Sequence, residues 1–459
     1  MNNDDIYPSD VADAYHYHGQ YRPQFHYTPM QGHIGDPTGL IYYKGEYHLF
    51  YMYDPWSMKR AEHKNWGHAV SNDCLHWREL SPILDTLIDH RPGSGSGIVD
   101  WNNSSGLRRG IEKTLVVFYT DYALGTCIAY SNDKGRTWLR HRLNPILEGI
   151  DDIRDPYVFW YKPASAWRMV RYEKQGFAFY ASTDLLTWRY LSRSDGFYEC
   201  PDLFQLSVDG DQANPKWVLI DGDGTYLLGT FDGTQFQAET EKLQVNHGRL
   251  YATQSWKHTF EGDGPVVQLA FVGYVREPRL TWIGQMCFPC ELTLRLCSDG
   301  IRLFRYPLHV IKNLYAEQQV WDTLVVSPGV TSLDGIEGDV LDIHAEIEPA
   351  GAQTFGFEIR GQRIAYDVQA GTLSWLESAP LALVNNRIRL RILLDRSSIE
   401  VFGNDGQLSL TNLFFPPSAN RQIKLFAEGG GIRVVSLEIN RLESIWQERE
   451  LALGVLNTD

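Results

Sequence analysis

One short pattern recurs three times in the first half of this 459-residue chain: an acidic residue beside proline, directly before two apolar strands. The three steps are Gly35-Asp36-Pro37, Arg154-Asp155-Pro156 and Glu199-Cys200-Pro201. If they occupy equivalent positions in successive repeats, radial packing brings three carboxylates to one axis. Carboxylate pairs beside a central pocket are typical of glycoside hydrolysis.

A second repeat runs in phase with the first and predicts the architecture. A Ser-x-Asp turn follows a short apolar strand and precedes a tryptophan, in the segments that begin at Ser71, Ser131 and Ser182. Gly229-Thr230-Phe231-Asp232-Gly233 is a degenerate fourth copy. Repeats of roughly 40–60 residues built from short strands indicate β-propeller blades, and no long segment has helical periodicity.

The pattern changes after Cys297, and the chain is long enough for two domains. Long alternating strands separated by turns such as Gly403-Asn404-Asp405-Gly406 predict a hairpin-rich β-sandwich. The sequence therefore predicts an all-β protein, with a propeller over residues 1–308 and a sandwich over residues 309–459.

The charge and the cysteines limit the classes of partner. With 42 Lys and Arg against 57 Asp and Glu, the net charge is −15, which argues against nucleic acid or an anionic membrane as partner. Cys287-Phe288-Pro289-Cys290 has the spacing of a zinc or redox site, but no second pair or histidines complete it, so six free thiols are expected. The acidic N-terminal residues lack the pattern of a secretory signal, which predicts a cytoplasmic protein, with a removed signal as the alternative.

Several long blocks, in order, resemble glycoside hydrolase family 32, the β-fructofuranosidases that include invertases, levanases and exo-inulinases. The blocks are Tyr21-Arg22-Pro23-Gln24-Phe25-His26-Tyr27-Thr28-Pro29, Trp66-Gly67-His68-Ala69-Val70-Ser71, Arg154-Asp155-Pro156, Tyr198-Glu199-Cys200-Pro201-Asp202, Tyr251-Ala252-Thr253-Gln254-Ser255-Trp256 and Leu394-Asp395-Arg396-Ser397-Ser398-Ile399-Glu400-Val401-Phe402. The resemblance covers nearly the whole chain. It implies a five-bladed propeller followed by a β-sandwich, with no metal or other cofactor.

The resemblance also implies roles for the three acidic residues. Asp36 is then the nucleophile, Glu199 the general acid and base, and Asp155 the transition-state stabiliser that contacts fructose hydroxyls. Neighbouring carboxylates push their pKa values apart, which lets one hold a proton while another is charged. Arg154 is expected to pair with a carboxylate in the pocket or to reach a sugar hydroxyl.

The other predicted substrate-binding residues are His33, Gly35, Met52, Trp66, Ser94, Arg154, Tyr251 and Tyr274. Two of them depart from the family pattern. Gly35 stands where most members have a substrate-binding Asn, and Met52 stands where they have Gln. The two lost amides are each worth on the order of 1 kcal/mol, so substrate preference is expected to differ. For Trp66, a place in the core of a blade is as well supported as a sugar contact.

These observations predict a retaining exo-β-fructofuranosidase that releases terminal fructose from sucrose and short fructooligosaccharides such as 1-kestose. The alternatives with the same catalytic residues are a fructosyltransferase and a levanase or exo-inulinase. The alternative of another class is a non-catalytic sugar-binding propeller, which has no need of all three carboxylates.

Overall fold

The computed structural model describes residue 17 and residues 19–57, 65–84, 91–257, 264–273, 277 and 280–446. Almost all regular structure is β-strand, arranged as five antiparallel four-stranded units followed by two larger sheets. Within these residues, three 3-10 helices lie at Lys162–Ala164, His309–Leu314 and Asn404–Gly406. Within the described ranges, no helix has the length and apolar character that a membrane span requires.

The first three units follow the chain without interruption. The first contains β1 (Gly32–Tyr43), β2 (Glu46–Asp54), β3 (Asn65–Ser71) and β4 (Arg78–Leu80). The second contains β5 (Pro92–Asp100), β6 (Thr114–Asp121), β7 (Gly125–Ser131) and β8 (Leu139–Arg140), with β9 (Leu147–Glu148) also on β7. The third contains β10 (Ile153–Tyr161), β11 (Ala166–Glu173), β12 (Gly176–Ser182) and β13 (Arg189–Asp195).

The last two units carry additional short strands. The fourth contains β14 (Asp202–Val208), β15 (Asp211–Ile220), β16 (Thr225–Phe231) and β17 (Phe236–Ala238), with β18 (Leu243–Gln244) on β16. The strand β19 (Asn246–Gly248) follows it and pairs outside the propeller. The fifth unit contains β20 (Leu250–Lys257), β21 (Val266–Val272), β24 (Cys290–Cys297) and β25 (Gly300–Pro307), with β23 (Gln285–Met286) on β21.

The five units form a closed ring, because a layer of buried apolar side chains lies between each unit and the next. The fifth layer joins the last unit to the first and contains Leu269 and Ile34. The short strand β22 (Trp282–Ile283), which lies between β21 and β23 in the sequence, pairs in parallel with the start of β1. The first strand of each unit lies near the axis, where β1 contacts β5 and β20. This arrangement confirms a five-bladed propeller.

The Ser-x-Asp turns occupy equivalent places in the first three blades. Each serine donates a hydrogen bond to the aspartate, at 2.9 Å for Ser71, 2.7 Å for Ser131 and 3.0 Å for Ser182. The tryptophan that follows donates its indole N–H to the carbonyl oxygen three residues earlier, at 3.0 to 3.2 Å. In the fourth blade, Asp232 accepts two backbone N–H groups in a similar turn. The predicted repeat is therefore a structural repeat.

Two sheets face each other across the apolar core of the predicted sandwich. One contains β19, β26 (Tyr315–Trp321), β27 (Leu324–Val326), β29 (Leu341–Glu348), β34 (Ile388–Asp395), β35 (Ser398–Gly403), β36 (Leu408–Leu413) and β38 (Ile432–Leu442). The other contains β28 (Gly329–Glu337), β30 (Thr354–Ile359), β31 (Gln362–Asp367), β32 (Thr372–Trp375), β33 (Glu377–Pro380) and β37 (Gln422–Glu428). The sandwich is confirmed, and the boundary at residue 308 stays a prediction.

A buried charged cluster joins the two parts of the chain. His26 precedes the first blade, and its ring nitrogens contact Asp395 at 2.8 Å and Glu400 at 2.9 Å, both from the β34–β35 hairpin. Burial opposes the charged imidazole, but these two carboxylates outweigh it and raise the pKa of His26 to about 9. Arg305 lies 3.6 Å from Glu400 and adds a second positive charge. The sandwich therefore holds the segment that leads into β1 of the propeller.

Candidate active site

Four of the five axial strands are irregular at the same level of the propeller. The register with the next strand shifts between Ile34 and Pro37 in β1, between Pro92 and Gly95 in β5, between Arg154 and Tyr157 in β10, and between Tyr251 and Gln254 in β20. These β-bulges carry Asp36, Ser94 and Asp155. A bulge removes residues from the ladder and re-aims their side chains, as is common next to active sites. The sequence analysis placed the acidic residues before the strands, whereas β1 and β10 continue through Asp36 and Asp155.

The remaining acidic residue, Glu199, lies in a loop directly before β14. Glu199 and Cys200 both have left-handed backbone, with φ of 52° and 44°, and Asp155 has φ of 57°. Such conformations cost on the order of 1–3 kcal/mol for residues other than glycine, and they concentrate at functional sites. The surrounding contacts must therefore hold these residues in place.

A chain of hydroxyl groups links the first three blades behind Asp36. Ser94 donates its hydroxyl hydrogen to Oδ2 of Asp36 at 2.7 Å. Thr120 donates to the carbonyl oxygen of Ser94 at 3.1 Å and accepts the backbone N–H of Asp155 at 2.8 Å. The carboxyl of Asp36 is thereby oriented, and it is linked through the second blade to the backbone of Asp155.

Asp155 is nearly inaccessible to solvent, at 4% exposed. Its Oδ2 accepts the backbone N–H of Cys200 at 3.1 Å and lies 3.8 Å from Nε of Arg154. Burial raises the pKa of Asp155 to about 7, and the charges of Glu199 and, to a smaller extent, Asp36 raise it further. The hydrogen bond from Cys200 and the charge of Arg154 lower the pKa but do not outweigh these effects. The three carboxylates are therefore close enough to interact, as the sequence predicted.

Glu199 is held through both carboxyl oxygens. Nε of Arg154 donates to Oε2 at 3.3 Å, and the hydroxyl of Tyr251 donates to Oε1 at 3.0 Å. The guanidinium of Arg154 also contacts Asp152 and lies 4.2 Å from the centre of the Tyr172 ring. A cation fixed in this way keeps a positive charge between Glu199 and Asp155.

Of the two alternatives predicted for Trp66, blade core and sugar contact, its position favours the core. Its side chain is fully buried between the first two blades, and its indole N–H donates to the carbonyl oxygen of Gly93 at 3.0 Å. A side chain with no accessible surface contributes to the core instead. Met52 is 7% exposed and belongs to the same apolar layer, and His33 is 3% exposed. Gly35 lies in the bulge beside Asp36. Tyr274 lies outside the described residues.

Two residues near the carboxylates were not found from the sequence, Thr120 and Tyr122. The ring of Tyr122 packs against Gly93, since a Cβ atom placed there would lie 2.9 Å from it, and the side chain is 44% exposed. Burial and the charges of the three carboxylates raise the pKa of Tyr122. Tyr122 therefore stands at the mouth of the site. The Phe-Tyr-Thr-Asp-Tyr segment is a plain strand end in sequence and gives no signal of this.

A cavity of about 1120 Å³ lies along the axis on the other side of the carboxylates. Its walls are formed by residues further along the axial strands, such as Ile41, Val99 and Phe159, and none of the three acidic residues lines it. The chemistry is therefore assigned to the mouth that contains Asp36. Among the residues described, no group of three or more His, Cys, Asp or Glu side chains is placed to hold a metal ion, and all six cysteines are free thiols.

A five-bladed propeller with interacting carboxylates at one mouth, joined to a β-sandwich, defines a glycoside hydrolase. The model for the glycosyl hydrolases family 32 N-terminal domain matches residues 26–307, and that for the family 32 C-terminal domain matches residues 311–441. The chain therefore belongs to glycoside hydrolase family 32, which confirms the predicted resemblance.

Individual relatives are similar over most of their length. A levanase of Bacillus subtilis is 36% identical across 96% of this chain and 73% of the levanase. An invertase of Schizosaccharomyces pombe is 28% identical across 94% of this chain and 87% of the invertase. The crystal structure of an exo-inulinase from Aspergillus awamori superimposes with a TM-score of 0.84, at 26% identity, across 94% of this chain and all of that one.

Proposed function

We propose that the protein is a retaining exo-β-fructofuranosidase that releases terminal fructose from sucrose and short fructooligosaccharides. The observation that supports this most is the convergence of Asp36, Asp155 and Glu199 from three blades at one mouth of the axis. The relatives named as levanase, invertase and exo-inulinase support fructosides as the substrate class.

In the proposed reaction, the carboxylate of Asp36 attacks the anomeric carbon of the terminal fructosyl unit. The bond from this carbon to the leaving oxygen breaks, and Glu199 gives its proton to that oxygen. Water then attacks the same carbon, Glu199 takes the proton from the water, and the bond to Asp36 breaks. Both steps together release fructose with its configuration retained.

The remaining polar groups have roles that follow from their contacts. Ser94 holds one oxygen of Asp36, so the carboxylate meets the sugar in a fixed orientation. Arg154 and Tyr251 hold Glu199 where the leaving oxygen departs. Asp155, when ionised, places negative charge beside the developing oxocarbenium ion.

Asp36→Ala and Glu199→Ala test the proposal, because both remove a group at the reacting centre. Each should lower kcat on sucrose by at least about 10²-fold with the fold intact. Glu199→Ala should lose much less on a fructoside with a nitrophenyl leaving group, since that group needs little acid assistance, whereas Asp36→Ala should lose activity on both. Activity of either variant on sucrose within a few-fold of wild type would overturn the assignment.

Product analysis tests the remaining parts of the proposal. The first-formed fructose should be the β-anomer by NMR, since an initial α-anomer excludes a covalent intermediate on Asp36. We expect kcat/KM for 1-kestose to equal or exceed that for sucrose, and both to exceed that for inulin. The similarity to a levanase makes levan the rival substrate, and a clear preference for levan would refute the assignment to short substrates.

A further inference from the structure

The loop that carries Glu199 is fixed at both ends by aspartate side chains. On one side, the backbone N–H of Cys200 donates to Asp155 at 3.1 Å. On the other side, the backbone N–H of Tyr198 donates to Oδ1 of Asp221 at 2.9 Å. Two consecutive left-handed residues, Glu199 and Cys200, lie between these anchors. The strained backbone of the loop therefore depends on contacts from outside it.

Asp221 stands directly after β15 and is 3% exposed. Its Oδ1 also accepts the N–H of Gly222 at 2.9 Å, and its Oδ2 accepts Nζ of Lys242 at 2.7 Å. Gly222 in turn donates to the carbonyl oxygen of Tyr198 at 3.2 Å. The side chain of Asp221 thus holds the backbone N–H of Tyr198, and the turn that begins at Asp221 holds the carbonyl oxygen of Tyr198.

The same turn reaches the second support of Glu199. The carbonyl oxygen of Gly222 accepts the backbone N–H of Ala252 at 2.7 Å, in the bulge of β20. The preceding residue, Tyr251, donates its hydroxyl hydrogen to Glu199. One buried aspartate therefore connects the backbone of Glu199 with the side chain that orients its carboxyl.

We infer that Asp221 is a positioning residue for Glu199, which it holds in place without touching the substrate. This inference rests on the proposed role of Glu199 as the general acid and base. Without Asp221 the Tyr198 N–H loses its acceptor, and the loop can relax from its left-handed conformation. A misplacement of about 1 Å at a reacting group lowers rates by about 10²-fold, so the effect should appear in proton transfer to the leaving oxygen.

Asp221→Ala tests this through the dependence on the leaving group. We expect kcat on sucrose to fall at least tenfold, KM to stay within about twofold, and the loss on a nitrophenyl fructoside to stay below threefold. Asp223→Ala is the matched control. Asp223 lies on the same turn and accepts the N–H of Thr225 at 2.8 Å, so its removal perturbs the turn and leaves the Glu199 loop held. This control should stay within twofold on both substrates.

Asp221→Asn is the second variant, and it covers the case in which the alanine variant does not fold. The amide keeps an oxygen for the N–H of Tyr198, so at least a third of wild-type kcat on sucrose should remain. Equal losses on the two substrates for Asp221→Ala, or a loss for Asp221→Asn as large as tenfold, would overturn the inference.

Amide hydrogen exchange tests the anchor without any substrate. Exchange in the peptide that contains Tyr198 and Cys200 should rise in Asp221→Ala and stay at the wild-type rate in Asp223→Ala. Unchanged exchange in Asp221→Ala would refute the anchor. If the wild-type protein releases no fructose, the proposed function is refuted instead. The exchange result then still tests whether Asp221 anchors the loop.

Discussion

Asp155→Asn should make the protein more stable and less active at the same time. Burial, with a further contribution from Glu199, raises the pKa of Asp155 from 3.8 to about 7, so the folded protein disfavours the charged carboxyl. The amide keeps the shape and removes that charge. The difference between the two pKa values corresponds to about 4 kcal/mol, the upper limit for the gain in the free energy of unfolding.

The gain should depend on pH in one direction. An acid whose pKa is raised on folding does not lower the free energy of unfolding at pH values below its unfolded pKa. Above that pH the free energy of unfolding falls progressively, until the pH passes the folded pKa, here about 7. Asp155→Asn should therefore raise Tm at pH 8, by up to about 4 °C for a chain of this length unfolding as one unit, and by about 1 °C or less at pH 4.5.

The assay is thermal unfolding of both proteins at the two pH values, with kcat/KM on sucrose measured in parallel. Activity should fall by at least about 10²-fold, because the charge beside the developing oxocarbenium ion is lost. Asp195→Asn is the control, since its side chain is 78% exposed and should give no pH-dependent difference. A Tm for Asp155→Asn at pH 8 equal to or below that of wild type would refute the reasoning, and so would equal shifts at both pH values.

Three further substitutions have defined outcomes. Ser94→Ala removes a hydrogen bond to the Asp36 carboxyl and should lower kcat/KM about 10–100-fold with Tm nearly unchanged; a loss below threefold contradicts it. His26→Gln should destabilise the protein more at pH 6 than at pH 9.5 in urea unfolding, because stabilisation by the raised pKa is complete below about 6.5 and is lost as the pH rises through about 9. Tyr122→Ala should lower kcat/KM for 1-kestose by about 2–10-fold, because its exposed ring is expected to contact the leaving sugar. Tyr190, on the third blade, is also exposed, and Tyr190→Ala should leave kcat/KM unchanged.

The phase of the repeats was enough to predict which residues converge. Asp36 and Asp155 were placed at equivalent positions because each precedes an apolar hairpin, and Ser-x-Asp turns marked the blades independently. The bulges that aim these side chains could not be predicted, because a bulge is a property of the register between two strands. The residue pattern of one strand does not determine how the neighbouring strand is aligned with it.

The errors and omissions near the site have a common physical origin. Trp66 belongs to a block that resembles the family, but whether an aromatic ring faces a core or a ligand depends on which blades pack against it. Thr120 and Asp221 act through backbone groups that are 35 and 23 residues away in sequence. Such partners become neighbours only when the ring closes. The segment Asp221-Gly222-Asp223-Gly224 indicates a tight turn from the sequence alone, but it does not indicate that the turn contacts Tyr198.

The contact between His26 and Asp395 spans 369 residues, and this separation governs how the protein is made. At roughly 5–20 residues per second, a ribosome needs roughly 20–70 s to deliver the hairpin after the first blade has left the exit tunnel. The first blade lacks its neighbour in the ring until the fifth blade, which ends at Pro307, has been made, and it lacks the carboxylates that bind His26 throughout the interval. A nascent chain therefore exposes the apolar surface of its first blade until the fifth blade has been made. The ring can close only after residue 307 has been made, and protection by chaperones matters most before that point.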